Sequence, residues 1–151
     1  MRAINHALTG AIIGLTVSEP LIAIPVALGS HYLLDMIPHF GAGLPGNQEL
    51  RTAMFRRLLY VDALLCFILV ICLAIFSPAH WQLAIVCATI AAAPDALSYE
   101  RYRSVIRGRK WKENLHSRFA RKIQWFERPV GAIIELEWFI AALLVIRFLI
   151  R

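Results

Sequence analysis

A chain of 151 residues is one domain in length, yet 59% of it is hydrophobic, more than a single soluble core of that size needs. The net charge of +6 is gathered between apolar stretches, so headgroups account for it and no nucleic-acid partner is expected. Segments free of Lys and Arg run over 3–50, 58–100 and 129–146, the patterning of an integral membrane protein. The expected fold is all-α: one membrane domain, 1–151, built as a helical bundle of about five helices.

In chain order, the first apolar segment covers about 3–17, too short to cross a ~30 Å hydrocarbon core upright. Ser18, Glu19 and Pro20 mark a turn, and a second segment follows over about 21–37. The pair is expected to form a short, tight hairpin, with Gly10 and Gly14 letting the two backbones approach. Arg2 and the apolar run after it resemble a signal peptide superficially, but His6, Glu19, Pro20 and Pro25 argue for mature structure.

Residues 40–50, with three glycines and a proline, are expected to form a loop. Helices are expected over 54–76 and 80–99, joined by a turn at Ser77, Pro78 and Ala79, with Pro94 interrupting the last turns of the second. The polar stretch 100–128 holds ten Lys and Arg interleaved with aromatic residues, which suggests a basic interfacial segment. A last helix is expected over 129–150, closed by Arg147 and Arg151. Cys66, Cys72 and Cys87 lie in apolar segments without CxxC spacing and are expected to be packing residues.

Fourteen Lys and Arg fall on one side of these segments and two on the other. The bias of positive charge places the first side in the cytoplasm, with the N-terminus inside and the C-terminus outside.

The chemistry lies in SHYLLDMIPHF, where His31, Asp35 and His39 occupy i, i+4 and i+8, a helix stripe about 80° wide. Imidazole and carboxylate at i, i+4 can chelate one transition-metal ion. His39, about 12 Å of helix rise beyond His31, requires either a break at Pro38 or Asp35 bridging two ions. His6, opening the first segment, completes the expected ligand set. Asp62, Asp95 and Glu135 fall at the same membrane face and are candidates for a further ligand or a catalytic base. Plainer roles exist: Asp62 can pair with Arg56 or Arg57, and Asp95 can cap a break at Pro94. His116 can reach the site from the basic segment or remain a surface residue. Donors without thiolate suit a divalent metal, Zn first, with Mn or Fe(II) as alternatives.

The motifs NHALTG, SHYLLDMIPHF and APD resemble those of small bacterial membrane-bound metal-dependent hydrolases. That resemblance implies a polar core of His6, His31, Asp35, His39 and Asp95 in the inner membrane. HYLLDMIPH is also similar to a stretch of zinc-dependent phospholipase C enzymes, which implies phosphoester chemistry through His31, Asp35 and His39. RKIQWFERPVGAIIELEWF resembles the tail of small bacterial membrane proteins without assigned activity, and makes Gln124 and Glu135 candidates at the cytoplasmic mouth. The expected function is a membrane-bound metal-dependent hydrolase with a lipid-like phosphoester substrate. The alternatives are metal or proton transport or sensing through the same groups, or a scaffold.

Overall fold

A computed structural model describes residues 1–42, 44, 47–76 and 78–150. Gly43, Pro45 and Gly46 of the expected loop, Ser77 of the expected turn and Arg151 lie outside the described residues. Among those described the chain is all-helical and has no strand: α1 (Ala3–Thr16), α2 (Pro20–Asp35), α3 (Ala53–Phe76), α4 (Trp81–Ile106), α5 (Leu115–Ile123) and α6 (Gly131–Leu149), with a short 3-10 helix at Glu49–Arg51. One isolated bridge pairs His39 with Glu127.

The count is six because the basic segment itself folds in two places. α4 is continuous through Pro94 and runs on to Ile106, whereas an interruption was expected there. Pro94 removes one backbone donor, and the good helix formers around it carry the helix past the gap. α5 begins at Asn114, whose side-chain oxygen accepts the Ser117 N–H at 2.8 Å, a helix cap. It docks on α2 through the edge-on contact of Tyr32 and Phe119.

α1 is the central helix, buried against α2, α3, α4 and α6. Its Ile4, Ala7, Leu8 and Ala11 pack with Leu69 and Leu73 of α3, Ala84 and Ala88 of α4, and Ala142 and Ile146 of α6. A second cluster joins Ala23 and Ala27 of α2 to Cys87 and Ala91 of α4. The small-residue face was expected between α1 and α2, and it serves α4 instead. A Cβ at Gly10 would run into the Cys87 carbonyl, and one at Gly14 into the Ala84 backbone. Glycine and alanine on both helices let two backbones meet without intervening side chains.

Two described helices are long and apolar enough to cross a membrane, α3 and α4. Their 24 and 26 residues rise about 36 and 39 Å. α1 and α2, at 14 and 16 residues, rise only about 21 and 24 Å.

Candidate metal centre

Where α1 starts, α2 ends and α4 passes Pro94, four ionisable side chains converge. His6 and His31 stack with ring centroids 4.1 Å apart, both fully buried. Donor atoms of His6, His31 and Asp95 all lie within 4.8 Å of one another, so these three can hold a metal ion. Asp35 stands beside them, with Oδ1 3.2 Å from His6 Nε2 and Oδ2 3.5 Å from His31 Nε2.

The donor set fits a cation. His31 Nδ1 lies 2.8 Å from the Ala91 carbonyl, which only accepts, so Nδ1 carries the proton and Nε2 presents its lone pair to the cluster. An imidazole held through its second nitrogen in this way is oriented for ligation. Both ring nitrogens of His6, His31 Nε2 and Asp95 Oδ2 are buried and make no hydrogen bond of good geometry among the described residues. Unsatisfied buried groups cost about 1–3 kcal/mol each, and a shared cation satisfies several at once.

Asp35 is fastened from two sides. The terminal amine of Met1 donates to Oδ1, and Gln124 Nε2 donates to Oδ2 at 2.7 Å. The i, i+4 relation of His31 and Asp35 on α2 holds, but the third member of the stripe leaves it. α2 stops at Asp35, and His39 lies in the bridge to Glu127, with Nδ1 2.8 Å from the Ile37 carbonyl and Nε2 3.4 Å from the Glu127 carboxylate. The break falls before Pro38, because the residue preceding a proline is driven out of helical conformation. His39 belongs to a closure in which His39 N–H donates to Phe126 and Arg128 N–H to His39.

Asp62 and Glu135 go elsewhere. Asp62 accepts the backbone N–H groups of Ala3 at 2.9 Å and Ile4 at 3.1 Å, and Glu135 accepts that of Arg2 at 3.0 Å. Two carboxylates from α3 and α6 thus satisfy the exposed donors at the α1 N-terminus and complement its dipole. Asp95, on α4, is the candidate of these three that joins the cluster.

Above the cluster lies a cavity of about 350 Å³, with Asp95 in its wall and α5 beside it. His116 of α5 borders it, its ring centroid 6.0 Å from that of His31. Burial lowers the His116 imidazole below its usual range, with Asp35 pulling the other way. Trp111 also lines the cavity, a role the sequence hides, since a tryptophan between two lysines reads equally well as a headgroup anchor. The Ala91 carbonyl was equally invisible, since the acceptor freed by Pro94 is that of Ile90, one residue earlier.

No family model, curated protein or solved structure matches the chain.

Proposed function

We propose that this chain is a multi-pass membrane protein carrying a metal-dependent hydrolase centre at the cytoplasmic face of a bacterial inner membrane. The observation that carries the centre is the convergence of His6, His31 and Asp95 within 4.8 Å, with orphaned buried donor atoms on each. Membrane insertion is supported by α3, where 17% of the most apolar window is buried; the core helix of a soluble protein is covered on most sides. The resemblance of NHALTG and SHYLLDMIPHF to membrane-bound metal-dependent hydrolases points the same way.

The nitrogen and oxygen donors suit Zn, with Mn or Fe(II) as alternatives. Held by these residues, a divalent ion would supply Lewis-acid chemistry, lowering the pKa of a bound water towards ~7. His6, His31 and Asp95 would fix its position, with Asp35 kept beside His31 by the i, i+4 spacing and beside His6 by the packing of α1 on α2. Asp35, its oxygens already engaged by the Met1 amine and Gln124, adds negative charge beside the ion. Asp95 Oδ2, without a hydrogen bond among the described residues, is the carboxylate oxygen open to the ion or its water. Gln124 lines the cavity where substrate enters and donates to Asp35 behind it.

Elemental analysis of protein purified under metal-replete conditions tests the centre. The wild type is expected to carry at least one equivalent, and His31→Ala and Asp95→Ala to lose it while remaining folded. Metal retained in full by both variants would remove the centre. Turnover on a panel of phosphoesters, abolished by chelation and restored by metal, then tests hydrolysis against transport, which proteoliposome flux would report instead.

A further inference from the structure

The 350 Å³ cavity has a donor-rich wall that the metal cluster does not explain. Trp111 Nε1 and His116 Nδ1 are buried at its edge with no hydrogen-bond partner among the described residues. An indole N–H can only donate, so whatever completes it must accept. Arg101 lies on the same wall, with its guanidinium 5.6 Å above the Trp111 ring. Its Nε and Nη2 both donate to Asn47 Oδ1, at 3.1 and 2.7 Å. Those two bonds pin the guanidinium to a neutral acceptor and leave three of its five N–H groups unused. Among the described residues Arg101 pairs with no carboxylate, whereas the neighbouring Arg121 is matched by Glu113 at 2.8 Å and Glu127 faces His39. An occupant that accepts from several directions completes these donors, and negative charge on it suits Arg101, with Asp95, Glu113 and Glu127 on the same wall and the cation proposed at the cluster beside it.

Next to the polar cavity runs an apolar groove of about 570 Å³, lined by Leu97 and Leu115 and sharing Glu113 and His116 with it. Leu115 is 83% exposed there, at the start of the amphipathic α5. The molecule thus offers a charged recess with Asp95 in its wall and, across His116, an open apolar depression edged by Glu113, Asn114 and Arg118. Both share an edge, so one amphiphile can occupy them together.

We infer that the cavity is the phosphoryl subsite for a phosphorylated lipid, with Arg101, Trp111 and His116 holding the phosphoryl oxygens and the Leu97–Leu115 groove taking the start of the chain. This rests on the reading of the adjacent cluster as a hydrolytic metal centre. A phosphoryl group presents three strong acceptor oxygens and up to two negative charges, which matches three donors drawn from α4, the 107–114 connection and α5. The recess is large enough for a headgroup and too small for acyl chains, which stay in the groove and the bilayer. Hydrolysis of such a monoester balances with water alone: the water oxygen bonds phosphorus, the P–O bond to the lipid breaks, and a water proton ends on the released alcohol.

Binding of inorganic phosphate and of short-chain phosphatidic acid below its micelle concentration, followed by phosphorus NMR line broadening on the metal-loaded full chain in a phosphate-free detergent, tests this. The lipid is expected to bind at least tenfold more tightly than inorganic phosphate, and phosphate to displace it. Arg101→Gln and Trp111→Phe should each weaken both ligands about tenfold or more, in line with the loss of a charge-assisted or buried hydrogen bond. Leu115→Ala should weaken the lipid alone. Arg101→Lys, which keeps the charge, controls for folding and should lose less than Arg101→Gln. Equal binding by wild type and Arg101→Gln would overturn the subsite, and lipid no tighter than inorganic phosphate would overturn the groove. Metal bound without Arg101-dependent phosphate binding sinks the subsite only. A chain without metal whose phosphate binding still depends on Arg101 sinks only the hydrolytic centre.

Discussion

Asp62 and Asp95 sit about two turns into α3 and halfway along α4, and their neighbours give them opposite work. Asp62 commits both oxygens to the Ala3 and Ile4 amides, whereas Asp95 keeps Oδ2 buried and unpartnered beside His6 and His31. Asp62→Ala is expected to lower stability by about 1–2 kcal/mol, the range for losing a helix cap, with bound metal unchanged. Asp95→Asn should lose the metal, and its melting temperature should match that of the wild type stripped of metal rather than that of the loaded wild type. Thermal melts paired with elemental analysis separate the two, and metal lost equally from both variants would contradict the division. Glycines supply a second matched pair. Gly10→Ala drives a methyl into the Cys87 carbonyl and should cost about 1–3 kcal/mol by forcing α1 from α4. Gly29→Ala meets nothing within 4 Å and should be neutral or stabilise by up to about 1 kcal/mol, since alanine is the better helix former.

Among the elements, α5 and the chain after it are the closure of the mouth. Trp125 Nε1 donates to the Met36 carbonyl at 3.0 Å, and Gly131 lies so close to His39 that a Cβ there would strike its backbone. These contacts tie the end of α2 to the start of α6 and hold Gln124 against Asp35. Asn114→Ala removes the α5 cap at a cost of about 1 kcal/mol to that helix. Because α5 presents His116 to the cavity, the variant is expected to keep its metal and to show faster amide exchange confined to 115–123. Unchanged exchange there would mean that packing on Tyr32, not the cap, sets the local stability of α5.

For the whole molecule, the apolar faces decide the solvent. α3 exposes Leu64, Phe67, Ile68, Ile71 and Ile75, and α6 exposes Leu136, Ile140, Leu144 and Phe148. Apolar area left in water forfeits about 25 cal/mol per Å², so two such faces would be a severe loss in an aqueous monomer and none in hydrocarbon. Insertion with the basic segment inside predicts a definite accessibility pattern. In a cysteine-free background retaining activity, a cysteine at Ala79 should react with impermeant thiol reagent in intact cells, and one at Lys112 only after lysis. Labelling of both in intact cells would contradict the orientation derived from charge.

Composition and the spacing of apolar runs were enough to establish an all-helical chain, because hydropathy is a property each residue carries into any fold. The i, i+4 pair of His31 and Asp35 was legible for a related reason: helical periodicity places both on one face before any partner is known. Tertiary contact had to assign the rest. Gly10 and Gly14 signalled a close approach without saying to which helix, and it was α4. Asp62, Asp95 and Glu135 looked alike in sequence, yet α1 directs its amides at two of them and His6 at the third. His39 left the cluster because α2 ends at Asp35 and the chain beyond pairs with 126–128. A spacing states which side chains share a helix face; which of them meet across helices depends on packing between residues far apart in the chain.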